Sequence, residues 1–159
     1  MRKLINNEKW SLDAIDSKLI KLLENNSRVS VAEMARAVNM SSPSVNERMK
    51  RMEEYGVIHK YSIELDPESF DYPLTAIVRI RQHPGKLKQL ETMIQSIPEV
   101  IECDKVTGED CFYVRLCFES MPKLDEILDK VSTLGDTHTS VVKSTIVKRR
   151  NVPYQIRKR

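Results

Sequence analysis

Ser42, Ser44, Asn46, Glu47, Arg48, Lys50 and Arg51 fall within residues 42–51, off the apolar stripe made by Val45, Met49 and Met52. Side chains of these types, presented together on one helix, suit nucleic-acid recognition. A carboxamide can pair with the two groups on the major-groove edge of adenine, and a guanidinium with those of guanine. Hydroxyls and backbone N–H groups hold phosphate. Lys50 and Arg51 read as phosphate contacts. The plainer reading is a three-helix bundle with a solvated basic face, and the spacing alone leaves both open.

A second group lies at Val106, Thr107, Gly108, Glu109, Asp110 and Cys111. Gly108 supplies the positive φ that a tight turn needs. Glu109 and Asp110 could hold a metal, but no histidine is near in sequence and the cysteines lack the paired spacing of a zinc site. A redox thiol needs a lowered pKa, and two adjacent acids would raise it. Thr137, Thr139 and Ser140 could hydrogen-bond a small polar ligand, or could simply reflect the β-propensity of threonine. The run CFYVRLCF at 111–118 has the aromatics of an RNA-stacking strand, but alternation leaves only Tyr113 on the open face. His59, His83 and His138 are scattered, with no nucleophile–base set and no glycine-rich phosphate cradle. The expectation is therefore a binding protein, not an enzyme, with no metal and no cofactor.

The elements that must position these residues follow from periodicity. Leu12, Ile15, Leu19, Leu22 and Leu23 make one helical stripe, and Val31, Met34, Ala35 and Val38 a second. Ser30 with Glu33 forms a capping box, and Ser42 is the expected cap of the third helix, with Pro43 at its first position. The connector Asn39-Met40-Ser41 makes residues 30–55 a helix–turn–helix, whose second helix would lie in a major groove. Residues 57–65 alternate as a strand, and 66–73 read as a linker. Strands are then expected at 74–81, 100–107, 111–118 and 137–148, and helices at 84–97 and 122–134. That βαββαβ order predicts a ferredoxin-like fold, with both helices on one face of an antiparallel sheet. The other face, with Cys111, Tyr113, Arg115 and Cys117 on one strand and Ile77, Arg79 and Arg81 on another, is where a second subunit could pack.

The division is thus 1–60 for a DNA-binding unit, 61–73 for a hinge, 74–150 for an effector and oligomerisation domain, and 151–159 for a basic tail. Charge agrees: residues 1–60 carry 11 Lys/Arg and 8 Asp/Glu, 61–142 carry 8 and 15, and 143–159 carry 7 and none. The ends attract polyanions and the middle does not. With 40% hydrophobic and 31% charged residues the chain is globular in composition. It has no apolar run near a membrane span, and three cysteines suit a reducing compartment; a cytoplasmic protein without membrane association is expected.

With the elements placed, the sequence resembles the Lrp/AsnC family of transcriptional regulators over about 12–148. Asp13, Asp16, Ile20 and Leu23 fit the D-x-x-D-x-x-I/L-x-x-L opening helix, and the run from Arg28 to Ile58 fits the family helix–turn–helix without gaps. Pro98, Val100, Val106, Thr107 and Gly108 fit the effector-domain signature, and Thr137 and Thr139 its Thr-x-Thr. The resemblance implies an α+β protein: an N-terminal (winged) helix–turn–helix domain plus a C-terminal ferredoxin-like βαββαβ domain. It implies sequence-specific binding to double-stranded DNA and dimers through the open sheet face that build to tetramers or octamers. It also implies an amino-acid effector near Thr107, Gly108, Glu109, Asp110, Cys111, Thr137 and Thr139. Two departures stand out. The family aspartate of the turn falls on Cys111 and its tyrosine on Phe112, with Asp110 one residue early and so directed to the opposite face. Asp71 stands near the place of a family glycine. An architectural, DNA-wrapping protein without an effector is the alternative. An amino-acid-binding module acting on an enzyme partner and a thiol or metal sensor are further ones.

Overall fold

The computed structural model describes residues 11–154. These divide into two compact units: the residues up to Ile63 together with those from Arg150 onward, and Glu64–Arg149.

The first unit is built on α1 (Ala14–Asn25), α2 (Val31–Val38) and α3 (Ser42–Glu54). Each starts where a short polar side chain satisfies free backbone N–H groups. Asp13 and Asp16 form a reciprocal capping box on α1, and Ser30 and Glu33 do the same on α2. On α3 the cap is Ser41, not Ser42: the Ser41 hydroxyl accepts from the Ser44 amide at 3.3 Å, which moves Pro43 to the second helical position. The turn between α2 and α3 bends through Asn39, which adopts φ 53° and ψ 48°. Asparagine tolerates this left-handed conformation better than most residues. Gly56, at φ 69°, terminates α3. Leu19, Met34, Ala35, Val45, Met49 and Met52 make the core, with Val57 and Ile58 packed against it.

The expected strand over 57–65, and with it a wing, is absent: these residues form no β-ladder, and Tyr61, Ile63 and Leu65 are exposed. Alternation specifies a face but not a partner, and no strand of the described residues pairs with this segment. Beyond Arg150, Asn151 donates to Glu24 of α1 at 2.9 Å and Tyr154 to the same carboxylate at 3.3 Å, along one side of an open cleft of about 640 Å³ within the first unit. This part of the expected tail is thus tied to α1 by side-chain hydrogen bonds while Asn151, Val152 and Pro153 stay exposed; residues 155–159 lie outside the described ones.

The second unit opens with a 3-10 turn, Pro67–Phe70, inside the expected linker. Then follow β1 (Leu74–Gln82), α4 (Leu87–Ser96), β2 (Val100–Lys105), β3 (Phe112–Phe118), α5 (Met121–Ser132) and β4 (Gly135–Val141). The sheet is antiparallel in the order β2-β3-β1-β4, the ferredoxin-like arrangement. Helix α4 starts later than expected because Pro84 and Gly85 form a turn, with Gly85 at φ 76° and the Lys86 amide donating to His83 O. Strand β4 ends at Val141 rather than at 148. It pairs with β1 back to Ala76, with a last contact from the Val142 amide to Thr75 O near the start of β1 at Leu74, and Ile146 and Val147 are exposed. Ala76, Val78 and Ile80 of β1 and Phe112, Val114, Leu116 and Phe118 of β3 bury one sheet face beneath Leu90, Ile94, Leu124, Ile127 and Val131 of the helices. Apart from Ala76, each such side chain contributes roughly 1.5–3 kcal/mol when fully buried. No helix of the described residues is long and apolar enough to cross a membrane.

Candidate nucleic-acid interface and effector turn

Helix α3 turns Val45, Met49 and Met52 inward and leaves Asn46, Glu47, Lys50 and Arg51 exposed; Ser42 and Ser44 are half-buried. Ser44 shares a 2.8 Å hydroxyl–hydroxyl hydrogen bond with Ser41, so its side chain serves the cap. Lys50 lies 3.8 Å from Glu54 one turn on.

Arg48 departs from its expected role. Its Nη1 donates to Asp13 Oδ2 at 2.8 Å and to Asp16 Oδ1 at 2.7 Å, and the Asp16 side chain is only 2% exposed. The guanidinium that was expected to read guanine instead ties α3 to the start of α1. Burial works against the charge on Asp13, but the Asp16 amide and the guanidinium outweigh it and hold its carboxyl below the ordinary range. Arg48 is pulled the same two ways: burial disfavours its charge, while the two carboxylates favour it and prevail. The sequence signal for this was the D-x-x-D pattern, which the resemblance identified but whose partner only the packing supplies.

The effector residues cluster at one end of the sheet without forming a single contact set. Phe112, Ile80 and Thr137 lie in one cross-strand row, so the turn after β2 and the start of β4 flank β1 at the same end. Two strand spacings, roughly 10 Å, separate them. Thr139 sits further along, opposite Val78. Gly108 has φ 130° and open space where a Cβ would point.

The two departures in this unit have structural consequences. Asp110 turns to the open sheet face, 3.2 Å from Arg79 and 4.0 Å from Arg81, while Glu109 binds Arg81 at 2.5 Å. Cys111 lies just before β3 and leans on the hydrophobic core. Its thiol is 3.4 Å from Ile80 O and accepts from the Gln82 amide at 3.4 Å. It is therefore not on the open face where strand alternation put it, and Cys117 is buried beside Thr75. Asp71 adopts φ 64° and ψ 28° at the end of the 3-10 turn, the conformation for which a glycine would be the easy choice. Among the described residues no three His, Cys, Asp or Glu side chains converge as a metal site.

Comparison with known proteins accounts for both units. Residues 12–53 match the AsnC-type helix-turn-helix domain and residues 75–152 the Lrp/AsnC ligand binding domain. The HTH-type transcriptional regulator LrpC of Bacillus subtilis is 30% identical over 135 residues, covering 85% of this chain and 94% of LrpC. The leucine-responsive regulatory protein of Haemophilus influenzae is 31% identical over 149 residues, covering 89% and 90%. Among solved structures, B. subtilis LrpC superposes with a TM-score of 0.81 at 29% identity, over 88% of this chain and all (100%) of the other. The feast or famine regulatory protein from M. tuberculosis, complexed with L-methionine, gives a TM-score of 0.79 at 27% identity, over 90% of this chain and 100% of the other. The chain belongs to the Lrp/AsnC family and is a transcriptional regulator of that type, not an enzyme.

Proposed function

We propose that this regulator acts in the cytoplasm as a homo-oligomer, that α3 enters the major groove of double-stranded DNA, and that a free amino acid bound near the 106–111 turn biases the assembly. The observation that carries the DNA reading is the outward side of α3: Ser42, Ser44, Asn46, Glu47, Lys50 and Arg51 lie along it, and the capped helix N-terminus stands beside them. Backbone N–H groups and Lys50 with Arg51 suit phosphate. A dimer formed through the open sheet face would present two copies of α3 to half-sites spaced by helical turns, with tetramers or octamers of dimers extending the array.

Support for the effector comes from the match to a ligand-binding domain and from the relative seen with L-methionine. The turn of this chain differs in its electrostatics. Its carboxylates are matched by Arg79 and Arg81, and Cys111 offers no charge to an ammonium group. Thr107, Gly108, Glu109, Asp110, Cys111, Thr137 and Thr139 would thus hold an amino acid mainly through backbone and hydroxyl groups. Titration of the twenty amino acids by thermal shift, with and without DNA, tests this. A ligand that binds only the folded form raises the melting temperature. If none does so, the effector part of the proposal fails and the DNA part stands.

A further inference from the structure

The capture of Arg48 by α1 removes the arginine nearest the start of the recognition helix from the DNA-facing set. This has a consequence for sequence choice that rests on reading α3 as the helix in the groove. In its first two turns Pro43 has no side-chain donor, Ser44 is held by Ser41, and Arg48 is held by Asp13 and Asp16. Ser42, half-buried at the first helical position, offers a single hydroxyl suited to a phosphate, and Asn46 and Glu47 remain for the bases, both exposed and neither making a side-chain hydrogen bond among the described residues. Lys50 and Arg51 lie four or five positions beyond Asn46, roughly 6–8 Å further along the axis. That places them towards the backbone flank when the N-terminal part of the helix faces the bases.

The base edges then decide the outcome. Guanine offers two acceptors, O6 and N7, and needs a donor such as arginine. Adenine offers an acceptor and a donor, which a carboxamide matches in both places. Cytosine offers a donor, its exocyclic amine. A carboxylate only accepts, so it takes that amine and is repelled by guanine O6 and thymine O4. We infer that Asn46 and Glu47 are the specificity-determining residues of this regulator, Asn46 reading adenine and Glu47 reading an exocyclic amine, cytosine first, with no guanine read from the major groove by the first half of α3. Glu47 also selects negatively, since any base pair without an amine in reach leaves its charge unpaired against a polyanion.

The test uses the full chain and a duplex selected from a randomised pool by the wild-type protein, with binding followed by fluorescence anisotropy at fixed salt. Replacing adenine by 7-deazaadenine at one position per half-site removes the N7 acceptor and should weaken wild-type binding by roughly 10-fold. The same change should do nothing to Asn46→Ala. Replacing one cytosine per half-site by 2-pyrimidinone, which lacks the exocyclic amine, should cost the wild type a similar factor and leave Glu47→Ala unaffected. Substituting 7-deazaguanine under the helix should leave wild-type affinity unchanged. A 10-fold loss from 7-deazaguanine that persists in both variants and disappears in Arg51→Ala would overturn the inference, because guanine would then be read by arginine. Equal affinity of all of these variants, Lys50→Ala included, would overturn the underlying reading of α3 as well. Asn46 and Glu47 are exposed, so melting temperatures within a degree or two of wild type, on the order expected for surface substitutions, separate binding losses from unfolding.

Discussion

Arg48→Ala should act on folding before it acts on DNA. In the wild type the guanidinium contacts Asp16 at 2.7 Å and Asp13 at 2.8 Å, with 26% of the Arg48 side chain, 44% of Asp13 and 2% of Asp16 exposed. The two legs are unequal. The half-exposed Asp13 leg is worth no more than about 1 kcal/mol. The Asp16 leg governs, because removing the arginine leaves a buried carboxylate whose remaining hydrogen bond is a 3.3 Å contact from the Asp13 amide. Leaving one member of a buried pair uncompensated costs roughly 3–5 kcal/mol. The lower end applies here because Arg48 itself keeps some access to water. About 3 kcal/mol corresponds to a fall of roughly 12–24 °C in the melting temperature of a small domain. Far-UV circular dichroism of the full chain reads this, since the loss falls on the three-helix unit. The double variant Arg48→Met with Asp16→Leu removes both charges and should recover most of the stability, as apolar replacement of a buried pair is often neutral. An Arg48→Ala protein that melts like the wild type yet loses affinity for its selected duplex would refute this reasoning and return Arg48 to the DNA surface.

Four further outcomes follow from single groups. Asp13 has its carboxyl held below the ordinary 3.8, so its contribution is present above that value and is lost as pH falls through the folded-state pKa; in Arg48→Ala the acid limb of melting temperature against pH should move upward. Tyr61, whose ring is exposed, has its hydroxyl pushed up to about 12 by partial desolvation and by the Glu53 carboxylate it donates to at 2.8 Å, so the stability linked to its neutral form persists below pH 10.0 and declines as pH rises towards 12; Tyr61→Phe should remove that alkaline decline in melting temperature. A Cβ at Gly135 would lie 2.6 Å from Arg81 O across the β1–β4 ladder, and Gly135→Ala should cost about 1–3 kcal/mol in chemical denaturation. Asp71→Gly should be at least as stable as wild type, and Asp71→Ala roughly 1 kcal/mol less stable than the glycine variant, because φ there is 64°.

What the sequence made legible and what it did not divides along physical lines. Helix faces and the sheet order were readable because burial imposes a period: Leu19, Val45 and Met52 on the helices, and Val114 and Leu116 on β3, are buried where their spacing put them. Element ends were less readable, because a cap is a competition between neighbours. Ser41 and Ser42 are chemically alike, and only the hydrogen bond to the Ser44 amide distinguishes them. The strand expected over 57–65 and the extension of β4 to 148 fail for one reason, that a period-2 pattern requires a partner strand which the described residues do not supply. The ion pairs of Arg48 are not legible from its position on α3, which suits either DNA or a neighbouring helix. The buried acid that decides between them lies 32 residues away. At the effector turn alternation put Cys111 on the open face and Asp110 on the opposite one, and the structure reverses both, because the two residues precede β3 and follow the turn rather than the pleat; the two arginines beside the acid were equally unreadable, because β1 and that turn meet only in the folded sheet.

The central claim is that the N-terminal, outward part of α3 meets the bases while Arg48 serves the fold. A photo-crosslinking side chain placed at position 46, on the full protein bound to its selected duplex, tests it most directly. A crosslink is expected from position 46 to a base within each half-site, with none from position 91 on α4 of the effector unit. Duplex binding that persists while position 46 gives no crosslink to any base would contradict it.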